Sequence, residues 1–278
     1  MRGKWITLAL VAAFVIGLVL IVYPTFSNYW NLHTQTRAIS NYTNSVKQLE
    51  TAKIDQLLHS AQAYNQGLLS KPYQWAFPDA ERSEYEAQLK VFGQGVIGHL
   101  NIPKIEVSLP LYLGTGEAVL QVGVGHFEGS SLPIGGLNTH SVLTGHRGLP
   151  SAKLLTSLDL LHAGDSFQIT VLRETLTYEV DQVLVVAKDD AIALSRALEI
   201  VEDEDYCTLV TCTPYGINTE RLLVRGHRVA TIIDDVEIEI IPDVDVAQMR
   251  DPRLLVPLIA IPSVLLVLVI LLIRRYRK

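Results

Sequence analysis

The chain has few of the residues that cross-link a scaffold or hold a metal in it. Its 278 residues include only two cysteines, and neither a C-x-x-C nor an H-x-x-x-H spacing occurs. These absences exclude a disulfide-rich framework and argue against a structural zinc site. The sequence also lacks an internal repeat, which excludes a solenoid.

Two long apolar runs raise the hydrophobic content to 49 %. They extend from Trp5 to Tyr23 and from Leu254 to Ile273, and each is uncharged and long enough to cross a hydrocarbon core of roughly 30 Å as a helix. The sequence PTFSNYWN after Tyr23 has no A-x-A cleavage pattern, which favours an uncleaved anchor over a signal peptide. Basic residues after Ile273 favour a second span over a buried core helix. We therefore predict two transmembrane helices.

Net positive charge is absent from the segment between these runs. The chain carries a formal charge of -6, and removing the six cations of its two tails leaves -12. Such a surface repels phosphates, so nucleic acid is excluded as a partner. The positive-inside rule places both termini in the cytoplasm and residues 28–253 outside the cell membrane. The six tail cations are Arg2, Lys4, Arg274, Arg275, Arg277 and Lys278.

The pattern of apolar and polar residues changes several times along the chain. Residues 28–94 have apolar positions at helical spacing, which predicts one or two amphipathic helices that space the domain from the membrane, complete its core or regulate it. The stretch SKPYQWAFPDAERSEY, with two prolines, predicts a loop within them. The predicted segments are a cytoplasmic tail and anchor (1–27), a helical segment (28–94), a catalytic domain (95–232), an acidic linker (233–253), a transmembrane helix (254–273) and a basic cytoplasmic tail (274–278).

Residues 95–232 are mainly β in pattern. Short runs such as HSVLTGH, SFQITVL and YCTLVTC alternate with Gly, Pro, Asn and Asp, which is typical of an all-β barrel or sandwich. Residues 152–161 and 190–197 interrupt the strands and predict short helices or turns.

The two cysteines lie in one strand-like run. Cys207 and Cys212 are five residues apart, about 16 Å in a strand, whereas a disulfide needs a Cα separation below about 7 Å. They therefore cannot pair, and an unpaired extracellular thiol suggests reactivity. Alternation places them on opposite faces, with Cys207 a small buried hydrophobe and Cys212 at the strand end.

Candidate partners for Cys212 lie at other predicted strand ends. Pro214 and Gly216 predict a turn into the next strand, and antiparallel pairing would bring Arg221 near the thiol. A guanidinium there favours the thiolate and can hold an oxyanion, although Arg221 pairing only with Glu220 is an equal alternative. His146 ends a strand-like run and is a candidate general acid, and a metal site of Cys212, His140 and His146 is the rival chemistry.

Three blocks carry a family resemblance. TLVTCTPYGINTERLLVRGHR, together with the upstream VGVGHFEGSSLPIGG and NTHSVLTGHRGLPSAKL, resembles the class C sortases, the pilin-polymerising transpeptidases of Gram-positive bacteria. The resemblance covers about residues 96–232 and implies an eight-stranded sortase β-barrel, here with N-terminal helices and two flanking transmembrane helices. It also implies a catalytic triad, which by motif is Cys212, His146 and Arg221.

The reaction implied by the resemblance is transpeptidation without a cofactor. The substrate is an LPXTG-like sorting signal cleaved between Thr and Gly, and the acceptor is a Lys of another pilin subunit. Two alternatives stay open at this point: a sortase that attaches surface proteins to peptidoglycan, and a catalytically silent surface scaffold.

The sequence departs from the family pattern at one motif. Many class C sortases carry a lid with an Asp-Pro-aromatic motif, whose acid approaches the triad arginine. The counterpart here is Lys71, Pro72 and Tyr73, with a cation in place of the acid; the pair Pro78 and Asp79 is followed by alanine and matches no better. We therefore expect a lid without the usual ionic latch.

Overall fold

The computed structural model describes residues 2–71, 79–91 and 95–231. Eight strands close into one barrel, with the order β1-β2-β3-β4-β7-β8-β6-β5. The strands are β1 (Val96–Ile102), β2 (Val107–Leu113), β3 (Val124–His126), β4 (Thr139–Thr144), β5 (Ser166–Val171), β6 (Glu174–Ala187), β7 (Asp205–Thr213) and β8 (Glu220–Val229). The predicted mainly β, eight-stranded barrel is thus confirmed.

Two of the strand pairs are parallel, and one of them brings distant parts of the sequence together. β2 pairs with β3 and β4 pairs with β7 in parallel, whereas the other neighbours are antiparallel. Because parallel strands end at the same side of a sheet, the residues that follow β4 and β7 meet at one end of the barrel.

The barrel interior is filled by alternate residues of its strands. Phe167 and Tyr178 stack with ring centroids 5.6 Å apart, and the inward side of β7 contributes Cys207 and Leu209, both without exposed area. Of the side chains pointing the other way along β7, Tyr206, Val210 and Cys212 are only partly buried, whereas Thr208 is buried. The period-2 pattern in the sequence therefore corresponds to an inner and an outer face.

Five helices accompany the barrel within the described ranges. They are α1 (Arg2–Lys47), α2 (Thr51–Leu68), α3 (Asp79–Glu86), α4 (Glu117–Leu120) and α5 (Ala191–Leu198). α5 confirms the short helix predicted at 190–197, and the Asp190 side chain caps it by accepting from the Ala193 amide at 3.0 Å. Residues 152–161 contain only the 3₁₀ turn Leu158–Leu160.

The prediction of a loop from Ser70 to Tyr85 is wrong for the second half of this stretch. α3 begins at Asp79, directly after Pro78, and acidic Asp79 and Glu81 lie in its first turn. Carboxylates stabilise a helix N-terminus by interacting with the positive end of its dipole. The residues that resembled a loop therefore start a helix.

The helices complete the barrel core. The Tyr42 hydroxyl of α1 donates to the Ile97 carbonyl at 2.6 Å and accepts from the Leu172 amide at 2.7 Å. In α2 the Asn65 side chain donates to the Leu132 carbonyl and accepts from the Leu132 amide. Of the alternatives for residues 28–94, the structure thus supports completion of the core.

The described residues contain one helix that is long and apolar enough to span a membrane. It covers Ala9–Lys47 and lies within α1. α1 continues without interruption across residue 28, so the predicted boundary between anchor and helical segment is not a structural break. The second span (254–273), the acidic linker (233–253) and the basic tail (274–278) lie outside the described residues.

Candidate active site

The ends of β4 and β7 bring His146 level with Cys212. Thr144 is the register partner of Val210 in this parallel pair. The pairing continues beyond β4, because the Gly145 amide donates to the Val210 carbonyl at 3.1 Å and the Thr211 hydroxyl donates to the Gly145 carbonyl at 2.8 Å. His146 is the next residue after Gly145, as Cys212 is after Thr211.

Arg221 lies directly across from Cys212. The two residues are partners in the antiparallel pair of β7 and β8, which confirms the predicted pairing of these strands. Directly opposed residues of an antiparallel pair project from the same face of the sheet. The thiol and the guanidinium therefore emerge side by side at the end of the barrel.

Only one of the two thiols of this chain is accessible. Cys207 is fully buried in the core, and burial raises the pKa of its thiol well above the usual range. Cys212 is partly exposed, and neither cysteine forms a disulfide. The prediction that Cys207 is a buried hydrophobe is confirmed, which leaves Cys212 as the candidate nucleophile.

His146 is held by its own loop and faces a carboxylate. Its carbonyl accepts from the Leu155 amide at 3.2 Å, and its Nε2 lies 3.6 Å from Oε1 of Glu117 at the start of α4. A hydrogen bond from Gln121 and the nearby His146 lower the pKa of Glu117, so its carboxylate stays charged. Glu117 is a site residue that sequence reasoning missed, since nothing in its local pattern marks it.

The loops that carry His146 and Cys212 are braced together. Arg147, the residue after His146, donates from Nη1 to Oγ1 of Thr213, the residue after Cys212, at 3.2 Å. Its Nη2 donates to Asp159 at 2.6 Å. The Tyr215 ring packs against Gly148 so closely that a Cβ there would lie 3.1 Å from it. Gly148 has a φ of +79°, which also favours glycine.

The guanidinium of Arg221 has no carboxylate partner in the described part of the chain. Its Nη1 donates to the backbone carbonyl of Glu220 at 3.1 Å, and the ion pairs found within 4.0 Å do not include it. The alternative in which Arg221 pairs with the Glu220 carboxylate is therefore not observed. The remaining donors are free to bind an anionic or carbonyl oxygen.

His140 lies apart from Cys212, at the other end of β4. Its side chain is buried, with Nδ1 2.8 Å from the Glu199 carbonyl and Nε2 2.7 Å from the Thr208 hydroxyl. Burial lowers its pKa to about 4. Both ring nitrogens are thus engaged, and the described ranges hold no group of three His, Cys, Asp or Glu side chains suited to a metal.

The candidate lid residue Lys71 lies away from Arg221. Its Nζ is 3.0 Å from the Glu81 carboxylate of α3. It lines a cleft with Asn138, the residue before β4, whereas Cys212 and His146 lie beyond the other end of that strand. Pro72 and Tyr73 lie outside the described residues.

An apolar patch adjoins Cys212 on the outer face of the barrel. Val210 precedes Cys212 by two residues, so both side chains project from the same face of β7. Val210 packs against a cluster under α5 whose buried members are Val142, Leu194, Leu198 and Leu223. Val210 is itself only partly buried, so its side chain leaves some apolar surface exposed next to the thiol.

Comparisons with known proteins identify related sequences and structures. Residues 100–229 match the family described as Sortase domain. The chain is 31 % identical over 135 residues to sortase D of Bacillus subtilis, a match that covers 48 % of this chain and 63 % of that protein. The chain thus spans less than two thirds of the length of this curated relative.

Solved structures match over a larger share of the chain. Sortase C1 of Streptococcus agalactiae has 49 % sequence identity and a TM-score of 0.67, covering 70 % of this chain and 98 % of that one. Sortase C of Streptococcus pneumoniae has 41 % identity and a TM-score of 0.61, covering 70 % and 97 %. The chain therefore belongs to the sortase family, whose members are cysteine transpeptidases, and it groups with the class C sortases.

Proposed function

We propose that this protein is a membrane-anchored cysteine transpeptidase that joins pilin subunits. It cleaves an LPXTG-like sorting signal between Thr and Gly and transfers the new acyl group to a Lys amine of a second subunit. The observation that carries the proposal is the register of β7 and β8, which sets Arg221 opposite the accessible Cys212, with His146 at the same end of the barrel.

In the first half of the reaction the thiolate of Cys212 attacks the Thr carbonyl carbon. A carbon–sulfur bond forms and the carbonyl electron pair moves to oxygen, where the free donors of Arg221 stabilise the negative charge. When this oxyanion collapses, the carbon–nitrogen bond breaks and protonated His146 gives its proton to the leaving Gly amine. The product is a thioacyl enzyme.

In the second half a Lys ε-amine resolves the thioacyl enzyme. The amine attacks the same carbonyl carbon and loses a proton to His146, which is neutral after the first half. The carbon–sulfur bond then breaks, which restores the Cys212 thiolate and leaves an isopeptide bond. The reaction needs no oxidant and no nucleotide, since the amide bond between Thr and Gly is replaced by an amide bond to Lys.

The surroundings of Cys212 support a peptide substrate with apolar residues before the cleaved bond. The Val210 patch lies on the Cys212 face, on the side from which an extended chain would approach along β7. The Leu and Pro of an LPXTG-like signal would make this apolar contact. The choice of pilin as substrate is supported by similarity, because the Streptococcus pneumoniae sortase C was described in terms of pilin substrate specificity.

The test uses the full-length protein in lipid vesicles with a membrane-anchored pilin. We expect a mass increase on Cys212 with the pilin alone, and a ladder of cross-linked pilin when acceptor subunits are present. Cys212→Ala is the matched control and should show neither product. A thioacyl enzyme resolved only by a peptidoglycan amine would point to the cell-wall alternative, and the absence of any adduct would point to a silent scaffold.

A further inference from the structure

The helix α1 runs along the barrel in a defined direction. Just past the middle of this helix, the Asn28 side chain accepts from the Lys153 amide at 2.9 Å and the Asn31 side chain donates to the Ser151 carbonyl at 2.8 Å. Ser151 and Lys153 belong to the loop that follows His146. Farther along α1, Tyr42 is bonded to Ile97 and Leu172, away from that loop. The part of α1 around Asn28 and Asn31 therefore lies at the catalytic end of the barrel.

The apolar part of α1 ends just before these contacts. The apolar run stops at Tyr23, five residues before Asn28, which is a rise of about 8 Å along a helix. Exposed aromatic side chains mark the transition, as is typical of a membrane–water interface. They are Tyr23, Phe26 and Trp30. The headgroup layer of one leaflet is roughly 5–8 Å thick, so a helix standing upright in the bilayer would place Lys153 near the outer edge of this layer.

Two exposed apolar side chains lie in the turn between β7 and β8, beside this loop. Tyr215 is 58 % exposed and Ile217 is 68 % exposed. The Tyr215 ring contacts Gly148, which precedes Ser151 by only three residues. The turn therefore lies at the same end of the barrel as the loop bound to α1, and this end is close to the apolar run of α1.

We propose that this turn, through Tyr215 and Ile217, contacts the headgroup region of the same membrane that α1 enters. The inference rests on the membrane anchoring in the proposed function. Continuity with α1 selects the membrane as the occupant, because two side-chain hydrogen bonds fix the loop to the helix where it leaves the lipid. Cys212 then works at the membrane surface, where the sorting signal of a substrate lies close to that substrate's own anchor.

The test measures the depth of the turn in vesicles of phosphatidylcholine and phosphatidylglycerol. The full-length chain carries Ile217→Cys in a Cys212→Ala background and is labelled with an environment-sensitive fluorophore, while Cys207 stays buried and unlabelled. Lipids with a quencher near the headgroup are added. The matched control is Leu137→Cys, since Leu137 is also 68 % exposed but precedes β4 at the other end of the barrel.

We expect quenching at position 217 to exceed quenching at position 137 by roughly threefold or more, because interfacial groups enter the boundary by about 5–10 Å. Equal quenching at both positions, or none at 217, would overturn the proposal. A fluorescence change at 217 that depends on protein concentration and not on lipid quencher would show a second copy as the occupant and would overturn it too.

A second measurement separates this inference from the proposed function. Ile217→Asp should retain the reaction rate with a soluble sorting peptide and lower the rate with a vesicle-anchored substrate. Equal rates relative to wild type for both substrates would contradict membrane contact. A wild-type enzyme that forms no thioacyl adduct with either substrate would contradict the proposed function, whatever the quenching shows.

Discussion

Arg147 donates a hydrogen bond to Thr213 at 3.2 Å, and these residues directly follow His146 and Cys212. The two loops are otherwise about 65 residues apart in sequence, and the parallel pairing of β4 and β7 brings them together. Because Arg147 also binds Asp159, its side chain has little freedom to move. The distance between the candidate acid and the candidate nucleophile is thus set partly by their neighbours.

Removing the hydroxyl of Thr213 should slow thioacyl formation without unfolding the barrel. A hydrogen bond of this kind contributes about 0.5–1.5 kcal/mol, so we expect Thr213→Val to lower the rate by roughly threefold to tenfold. Thr213→Ser keeps the hydroxyl and should restore most of the rate. The measurement is single-turnover acylation by a sorting peptide, with melting temperature as the fold control. Equal rates in Thr213→Val and wild type would show that the brace has no role in catalysis.

The two cysteines should differ sharply when each is replaced by alanine. Cys212→Ala should abolish the thioacyl adduct, because only this thiol is accessible. Cys207→Ala should retain most of the activity, with a modest loss of stability from the small cavity it leaves in the core. Intact mass spectrometry after incubation with a sorting peptide measures the adduct. Loss of the adduct in both variants, with both still folded, would contradict the assignment.

The sequence predicted the barrel well because its strands alternate inner and outer residues and end at Gly, Pro and Asn. It also predicted the β7–β8 pairing, since a tight turn joins neighbouring strands that share a register. The meeting of His146 and Cys212 required a parallel pairing between distant strands, which no local pattern reveals. For the same reason Glu117 was missed, because its proximity to His146 depends on how β3 crosses beside β4.

Loss of either remaining triad candidate should lower turnover by at least about two orders of magnitude. An oxyanion donor contributes roughly 10²–10³ and an acid/base catalyst roughly 10²–10⁴ to a rate. We expect this loss for His146→Ala and for Arg221→Ala, measured as the steady-state rate of peptide transfer. Arg225→Ala is a control on the same strand, since its guanidinium pairs with Asp181 at 2.7 Å. A variant that stays within tenfold of wild type would remove its residue from the triad.

The folded protein should lose stability as the pH falls from about 6.5 towards 4. Burial lowers the pKa of His99, His126 and His140 to about 4, from the ordinary value of 6.5. The histidines of the unfolded chain therefore take up protons at a higher pH than those of the folded protein. The stability that they contribute is fully present above pH 6.5 and is lost as the pH falls from 6.5 to about 4. Below about pH 4 these groups cause no further change in stability. Each histidine contributes on the order of 3 kcal/mol at most.

Thermal melts between pH 7 and 4.5 measure this effect. His140→Gln removes one of these three groups and should reduce the dependence of melting temperature on pH, even if the variant is less stable throughout. His33→Gln is the matched control, because it makes the same replacement on α1, outside the barrel core. A wild-type melting temperature that stays constant across this range would contradict the prediction.

The last prediction concerns access to Cys212 in the resting enzyme. Lys71 has the same charge as Arg221, so it cannot form the usual ionic latch, and it is paired with Glu81 near the start of β4 instead. Without that latch the closed state of the lid is less stable relative to the open state, so its population is lower. We expect Cys212 to react readily with iodoacetamide, with only a modest increase in rate for Tyr73→Ala. Lys71→Asp should not slow the reaction, because the new carboxylate would face Glu81 and not Arg221. Strong protection of Cys212 in the wild type, relieved many-fold by Tyr73→Ala, would demonstrate a working lid and contradict this account.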